Sequence, residues 1–300
     1  MKRWHVLGAA LFLLTTSCGV GSALPAEPTD EGMMFGGQWT PANNTTSQTA
    51  SMTDLKAVVE VFTATWCTNC VDVEHALEEV KNDGLLQQYH VHRSIGESED
   101  PFGTDELDQR WKDKYGYDSP PTVVFNGTTK KIGSVADDGT LVNEFTNLAS
   151  NDLALGNGTT MFTWTPATAD ATGTVAWQLH IDQEHLANHV LHVTLWVVEG
   201  EAVFEDGSNG LGTYPHVVHK IHDLGSDLNG TAAIELPEAH DGNDLEVHLI
   251  YELTPMVVEQ APEQPVEEDE DMPWVGSAWS IMTVALAAVI SQRTSVQTRN

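Results

Sequence analysis

Cys67 and Cys70 stand three residues apart in Thr65-Trp66-Cys67-Thr68-Asn69-Cys70, where one apolar pattern gives way to another. Before them, Ala57 to Phe62 is a nearly unbroken apolar run, the mark of a strand buried on both faces. After them, Val73, Ala76, Leu77 and Val80 recur at helical spacing within an amphipathic segment from Val71 to Lys81. The order is strand, Cys-x-x-Cys, helix. A cysteine at the start of a helix meets unpaired backbone N–H groups and the positive end of the dipole, and both favour thiolate over thiol. The second cysteine, one turn on, is placed to attack a mixed disulfide formed by the first. A structural disulfide and half of a zinc site use the same spacing. Zinc needs two further ligands, and the chain has no second Cys pair. Redox chemistry is the reading that uses the position between strand and helix.

The third cysteine, Cys18, lies in a leader. Lys2 and Arg3 precede an apolar run from Val6 to Leu14 and then small residues, the three-part layout of a secretory signal over residues 1–23. Two processing routes are open. One cleaves after Gly21-Ser22-Ala23; the other makes Cys18 the lipidated first residue of a lipoprotein, with Thr15 standing where such signals usually carry Leu. Residues 24–51 are rich in Gly, Pro, Asn, Thr and Ser, which predicts a flexible linker.

The far end has its own pattern. Residues 259–272 mix Pro with Glu and Asp and predict an extended acidic stalk. The uncharged segment within 273–291 predicts a single transmembrane helix or a sorting signal, with 292–300 as a short cytoplasmic tail. With a translocated leader, this places the body on the extracytoplasmic side of the cell membrane. The charge balance narrows the partners further. Thirteen Lys and Arg against 44 Asp and Glu give a formal net charge of -31, which repels nucleic-acid phosphates and excludes nucleic acid as a partner. Such a surface is strongly hydrated, as in salt-adapted proteins. Asn43, Asn44, Asn126, Asn157 and Asn229 head Asn-x-Ser/Thr triplets, which permit glycosylation outside the cell.

Residues 52–155 continue as β, α, β, α, β, β, α. Tyr89 to Ser94 reads as a second strand, and Leu107, Trp111 and Tyr115 mark a helix starting near Thr104. Pro120-Pro121 precede the strand Thr122 to Phe125; Asn126-Gly127 is a hairpin signal, and Lys131-Ile132-Gly133 is the return. Leu141, Val142, Phe145, Leu148 and Ala149 mark a last helix. In two motifs, Phe62-Thr63-Ala64-Thr65-Trp66-Cys67-Thr68-Asn69-Cys70 and Pro121-Thr122-Val123-Val124-Phe125, this region resembles the thioredoxin superfamily.

That resemblance implies an α/β fold in which Pro121 is a cis-proline packed against the Cys pair, Cys67 attacks, Cys70 resolves, and Trp66 shields the pair. It implies protein thiols or disulfides as substrates, an unidentified redox partner and no dissociable cofactor. Three departures stand out. Thr68-Asn69 replaces the usual Gly-Pro, Val61 occupies the place of a buried acid, and Pro120 removes an N–H that helps hold substrate peptides. Glu60 is next to Val61 but on the opposite face.

From residue 156 to 258 the period changes to two. Val175, Trp177, Leu179 and Ile181 alternate with polar partners, as do Leu191 to Val197 and Leu245 to Leu253, which predicts an antiparallel β-sandwich. The succession resembles a family of bacterial surface proteins in which a thioredoxin-like domain precedes a β-sandwich. Histidines are dense here, but His216, His219 and His222 at odd strand separations point to opposite faces and do not converge on a metal. The expected protein is a membrane-anchored thiol–disulfide oxidoreductase with Cys67 and Cys70 as its dithiol. The alternative is a non-catalytic surface protein that uses the same scaffold for binding or structure.

Overall fold

The computed structural model describes residues 23–116, 119–169 and 172–256. The leader, including Cys18, and the stalk and apolar segment after residue 258 lie outside the described residues. In chain order the strands are β1 Glu27–Pro28, β2 Met33–Pro41, β3 Thr46–Ser51, β4 Ala57–Thr63, β5 Leu86–His92, β6 Thr122–Phe125, β7 Thr129–Ile132, β8 Thr159–Thr165, β9 Gly173–His180, β10 His189–Val203, β11 Thr213–Gly225, β12 Asn229–Ile234 and β13 Leu245–Pro255. The helices are α1 Cys70–Asn82, α2 Asp105–Tyr115, α3 Leu141–Ala149 and the short α4 Gln183–Leu186.

These strands make two sheets. One has nine strands in the order β1-β7-β6-β4-β5-β11-β10-β13-β2, and the other has four, β12-β9-β8-β3. The expected architecture, an α/β thioredoxin-like domain followed by a separate antiparallel sandwich and a membrane-spanning helix, is corrected on this point. The described chain is mostly strand and 17% helical. Strands from both sides of residue 155 share one sheet, joined where β5 runs parallel to β11 at His90 and Val217. No helix among the described residues is long and apolar enough to cross a membrane. Strands β2 and β3 lie inside the stretch expected to be a flexible linker, and β2 pairs with β13 from Met33–Leu253 to Pro41–Glu246.

The physical reason for the continuous sheet is burial on both faces. One register of β10 and β13, Val193, Leu195, Val197, Val247, Leu249 and Tyr251, packs against Phe162, Trp164, Val175 and Trp177 of the four-stranded sheet. The opposite register is buried too. Trp196, Val198 and Ile250 join Val58, Phe62, Tyr89 and Val91, and α2 supplies Leu107, Trp111 and Tyr115 to the same core. A third core lies between α1, α3 and the other face of β4 and β6, through Val59, Val61, Leu77, Val80, Val123 and Phe145. Thr104 and Thr140 cap α2 and α3 by accepting from the N–H groups of Leu107 and Asn143.

Two local features match the sequence. Asn126 and Gly127 both take positive φ, 51° and 68°, and join β6 to β7 as a tight turn. Glu60 faces α2, where it accepts hydrogen bonds from Arg110, at 2.6 Å, and from Tyr115. Burial pushes this carboxyl up, but the Arg110 and Lys114 charges outweigh it and hold the carboxyl below its usual range. Asn126 itself is buried, and its side-chain oxygen accepts from the Val58 N–H at 2.9 Å. A glycan there is incompatible with this packing, whereas Asn43, Asn44, Asn157 and Asn229 are exposed.

Candidate functional site

Every residue of β4 is buried, and the chain leaves its end at Thr63 into a loop closed by short-range bonds. The Cys67 N–H donates to the Ala64 carbonyl at 3.0 Å, and the Cys70 N–H to the Cys67 carbonyl at 3.2 Å. Cys67 and Cys70 are joined as a disulfide with Cα atoms 5.3 Å apart. Cys70 is the first residue of α1, and Cys67 lies in the turn before it. Cys70 is fully buried, while Cys67 keeps 5% of its surface exposed. Of the two cysteines, Cys67 is the more exposed.

Trp66 packs beside the pair and is only partly covered. Its indole N–H donates to Glu97 at 3.1 Å, and the Arg93 guanidinium stands 5.8 Å above the ring. Pro121 arrives from the other side. The Pro120–Pro121 peptide is cis, and the β4–β6 ladder pairs Phe62 with Thr122, which sets Pro121 at the end of β4 from which the Cys loop departs. Cys67, Cys70 and Trp66, drawn from the sequence, therefore lie in the loop that leaves β4 at the end beside which Pro121 leads into β6. Cys18 lies outside the described residues.

Beneath the loop is a polar group that motif reading did not find. Thr63 donates its hydroxyl to Glu74 Oε1 at 2.6 Å, and Glu74 is buried on α1. His92, at the end of β5, pairs through Nδ1 with Asp100 Oδ2 at 2.7 Å, and the same oxygen accepts the Thr65 N–H at 2.8 Å. Burial pushes the Asp100 carboxyl up, but the His92 charge and hydrogen bond, together with the Phe102 and Thr65 N–H bonds, hold the carboxyl below its usual range. Burial pushes the Glu74 carboxyl above its usual range despite the Thr63 bond. One signal was present: Glu74 sits four residues after Cys70, on the same face as an otherwise apolar stripe. His92 and Asp100 carried none, because only the tertiary fold brings the 94–104 connection over β5.

The hairpin tip between β10 and β11 forms a wall. The Asn209 N–H donates to the Thr65 carbonyl at 3.1 Å, and the Tyr214 hydroxyl lies 3.3 Å from the same oxygen. Gly207 is required by this approach, since a Cβ there would stand 1.9 Å from the Tyr214 hydroxyl. The histidines of β11 take separate partners. His219 meets Glu199 at 2.6 Å, and His216 stands 4.0 Å from Glu78. Among the described residues, Glu199, Asp241 and Asp244, and separately Asp182, Glu184 and His185, bring possible metal-ligand atoms within 4.8 Å of one another. Neither set includes a cysteine.

Fold and site together define a class: a mostly β protein with a disulfide-bonded Cys-x-x-Cys at a strand-to-helix junction, walled by a hairpin of the same sheet. No family model matches the chain, and no curated protein does. Among solved structures, it is similar to HBP35 of Porphyromonas gingivalis, with 19% identity and a TM-score of 0.46 over 66% of this chain. The chain spans 64% of the length of that one. A structural-genomics protein from Agrobacterium tumefaciens is similar over 58% of this chain and 76% of its own, with 17% identity and a TM-score of 0.38.

Proposed function

We propose that the protein exchanges thiols and disulfides with other proteins on the extracytoplasmic side of the membrane. The observation that carries this reading is the Cys67–Cys70 disulfide at the first turn of α1, with Pro121 at the same strand ends. In the reduced form the Cys67 thiolate attacks a substrate disulfide, forming a Cys67–substrate bond and expelling one substrate thiolate. Cys70 then attacks the Cys67 sulfur, the mixed bond breaks, and the second substrate thiol leaves. The substrate gains two electrons and the dithiol loses them; the direction follows the partner's potential. The two thioredoxin-like sequence motifs support the same chemistry, and the secretory-type leader supports the location, with Cys18 as a lipid attachment point.

The 5% exposure of Cys67 favours a second reading, a permanent bond in a surface protein that binds or supports without turnover. Reactivity separates the two. After reduction, a redox site alkylates at Cys67 within minutes near pH 7, and Cys70→Ser accumulates mixed disulfides that Cys67→Ser does not. Slow alkylation of both thiols, with no trapped partner in either variant, excludes exchange and leaves the permanent bond.

A further inference from the structure

At the join between β5 and β11, two buried imidazole nitrogens have no hydrogen-bond partner: His90 Nδ1 and His216 Nε2. A chain of hydrogen bonds fixes the state of the first. The Glu78 carboxylate only accepts, so the Gln88 amide donates its N–H to Glu78 Oε2, at 2.7 Å, and turns its oxygen to His90. His90 Nε2 therefore carries the proton and donates to that oxygen at 3.1 Å. A neutral imidazole holds a single N–H, so His90 Nδ1 is a bare lone pair in a residue with no exposed surface. Burial, with the charges of His216, His92 and Lys81, holds His90 well below its usual range and keeps the ring neutral. A histidine whose far N–H is bonded and whose other nitrogen is unprotonated is set as a metal ligand.

His216 approaches from β11, on a backbone held at a φ of 51°. The two ring centroids are 6.5 Å apart, and His216 Nε2 stands 4.0 Å from Glu78 Oε2. Zinc held at about 2.0–2.1 Å by two imidazole nitrogens sets the ring centroids roughly 5 to 6.5 Å apart, so the rings need close only slightly. His248 is not a candidate ligand, because Tyr89 and Glu246 already engage its two nitrogens. We infer that His90, His216 and Glu78 form a site for one divalent ion of the zinc class, with an open position for water. Two imidazoles and one carboxylate are a donor set that suits such an ion. The Glu78 side chain is 39% exposed, which makes it the arm that closes on the ion and leaves a way in. Lys81 is the built-in competitor. Its ammonium donates to both Glu78 oxygens, at 3.1 and 3.3 Å, and an ion has to displace it. A bound ion clips α1, β5 and β11 together, and it does so independently of any exchange at Cys67.

The test uses the full chain, oxidised so that the Cys67 and Cys70 sulfurs stay in their disulfide, and freed of metal with a chelator. Zinc is titrated in by calorimetry in about 1 M NaCl, where diffuse attraction to a surface of net charge -31 is screened. Wild type is expected to bind one ion per chain. Glu78→Gln and His216→Asn are each expected to weaken binding about tenfold or more, while Lys81→Met tightens it several-fold. Cobalt(II) in place of zinc is expected to show the visible bands of a four-coordinate nitrogen and oxygen site, with no thiolate charge-transfer band. Glu78 is a part-exposed helix residue, so Glu78→Gln still tests the site if His216→Asn fails to fold. No saturable binding by wild type, or binding by Glu78→Gln as tight as that of wild type, overturns the site.

Discussion

His216 shows how much a single side chain is asked to do at the join between β5 and β11. Its backbone takes a φ of 51°, its Nε2 is buried without a hydrogen-bond partner, and its ring centroid lies 6.5 Å from that of His90. Burial pulls its imidazole down to about 4, with the Lys81 charge adding to the effect, Glu246 opposing it and His248 contributing a little more. Between pH 6.5 and 4 the unfolded chain binds a proton at this residue and the folded chain does not. Stability from His216 is therefore complete above pH 6.5 and is lost as the pH falls toward 4, by about 3 kcal/mol in all. Asn tolerates the same backbone conformation without the titration. Denaturant titrations at pH 7 and pH 5 are expected to show wild type losing about 2 kcal/mol more than His216→Asn; equal losses contradict the assignment.

At the scale of elements, the hairpin between β10 and β11 closes against the Cys loop at Thr65. Its tip reaches the Thr65 carbonyl through Asn209 and Tyr214, and Gly207 leaves the room. Gly207→Ala forces the tip or the Tyr214 ring to move, at a cost of about 1–3 kcal/mol. Reduced Cys67 is then expected to alkylate several-fold faster than in wild type, with Cys70 remaining slow. An unchanged Cys67 rate in a folded variant would mean that the tip does not cover the thiol.

The elements themselves were largely legible. Helical spacing from Val71 to Lys81 appears as α1 at Cys70–Asn82, and the alternation of Leu245 to Leu253 appears as β13. The failures share a cause. In β2, Gly36 and Gly37 take positive φ, and a bulge falls opposite Leu249 and Ile250, so no alternation survives in the sequence. Met33 to Pro41 therefore reads as a linker. Alternation also misled where it was clear. His248 and Trp196 sit in the register opposite the apolar one, yet both are buried, because α2 and β5 cover the face that a lone sandwich leaves to solvent. The cysteines, Trp66 and Pro121 were legible because they are sequence-local or motif-bound. His92, Asp100 and Tyr214 come from separate segments, and no local spacing joins them.

For the molecule as a whole, charge sets the behaviour. A formal net charge of -31 makes the folded surface repel itself, and dissolved ions screen that repulsion. Raising NaCl from 0.1 to 1 M is expected to lift the melting temperature by several degrees, followed by circular dichroism; a flat or falling melting point would show that repulsion is not a limiting term. Because one sheet runs through both halves, the described body is also expected to melt in one transition.

The pairing of Met33 with Leu253 has one further consequence. Strand β2 opens where β13 closes, so the path of the backbone returns to its own beginning, as in a purse drawn shut. Splicing those two points with a few glycines and cutting the ring at an exposed turn, such as Gly210, would give a rearranged chain that keeps these strand neighbours except for β1 beside β7.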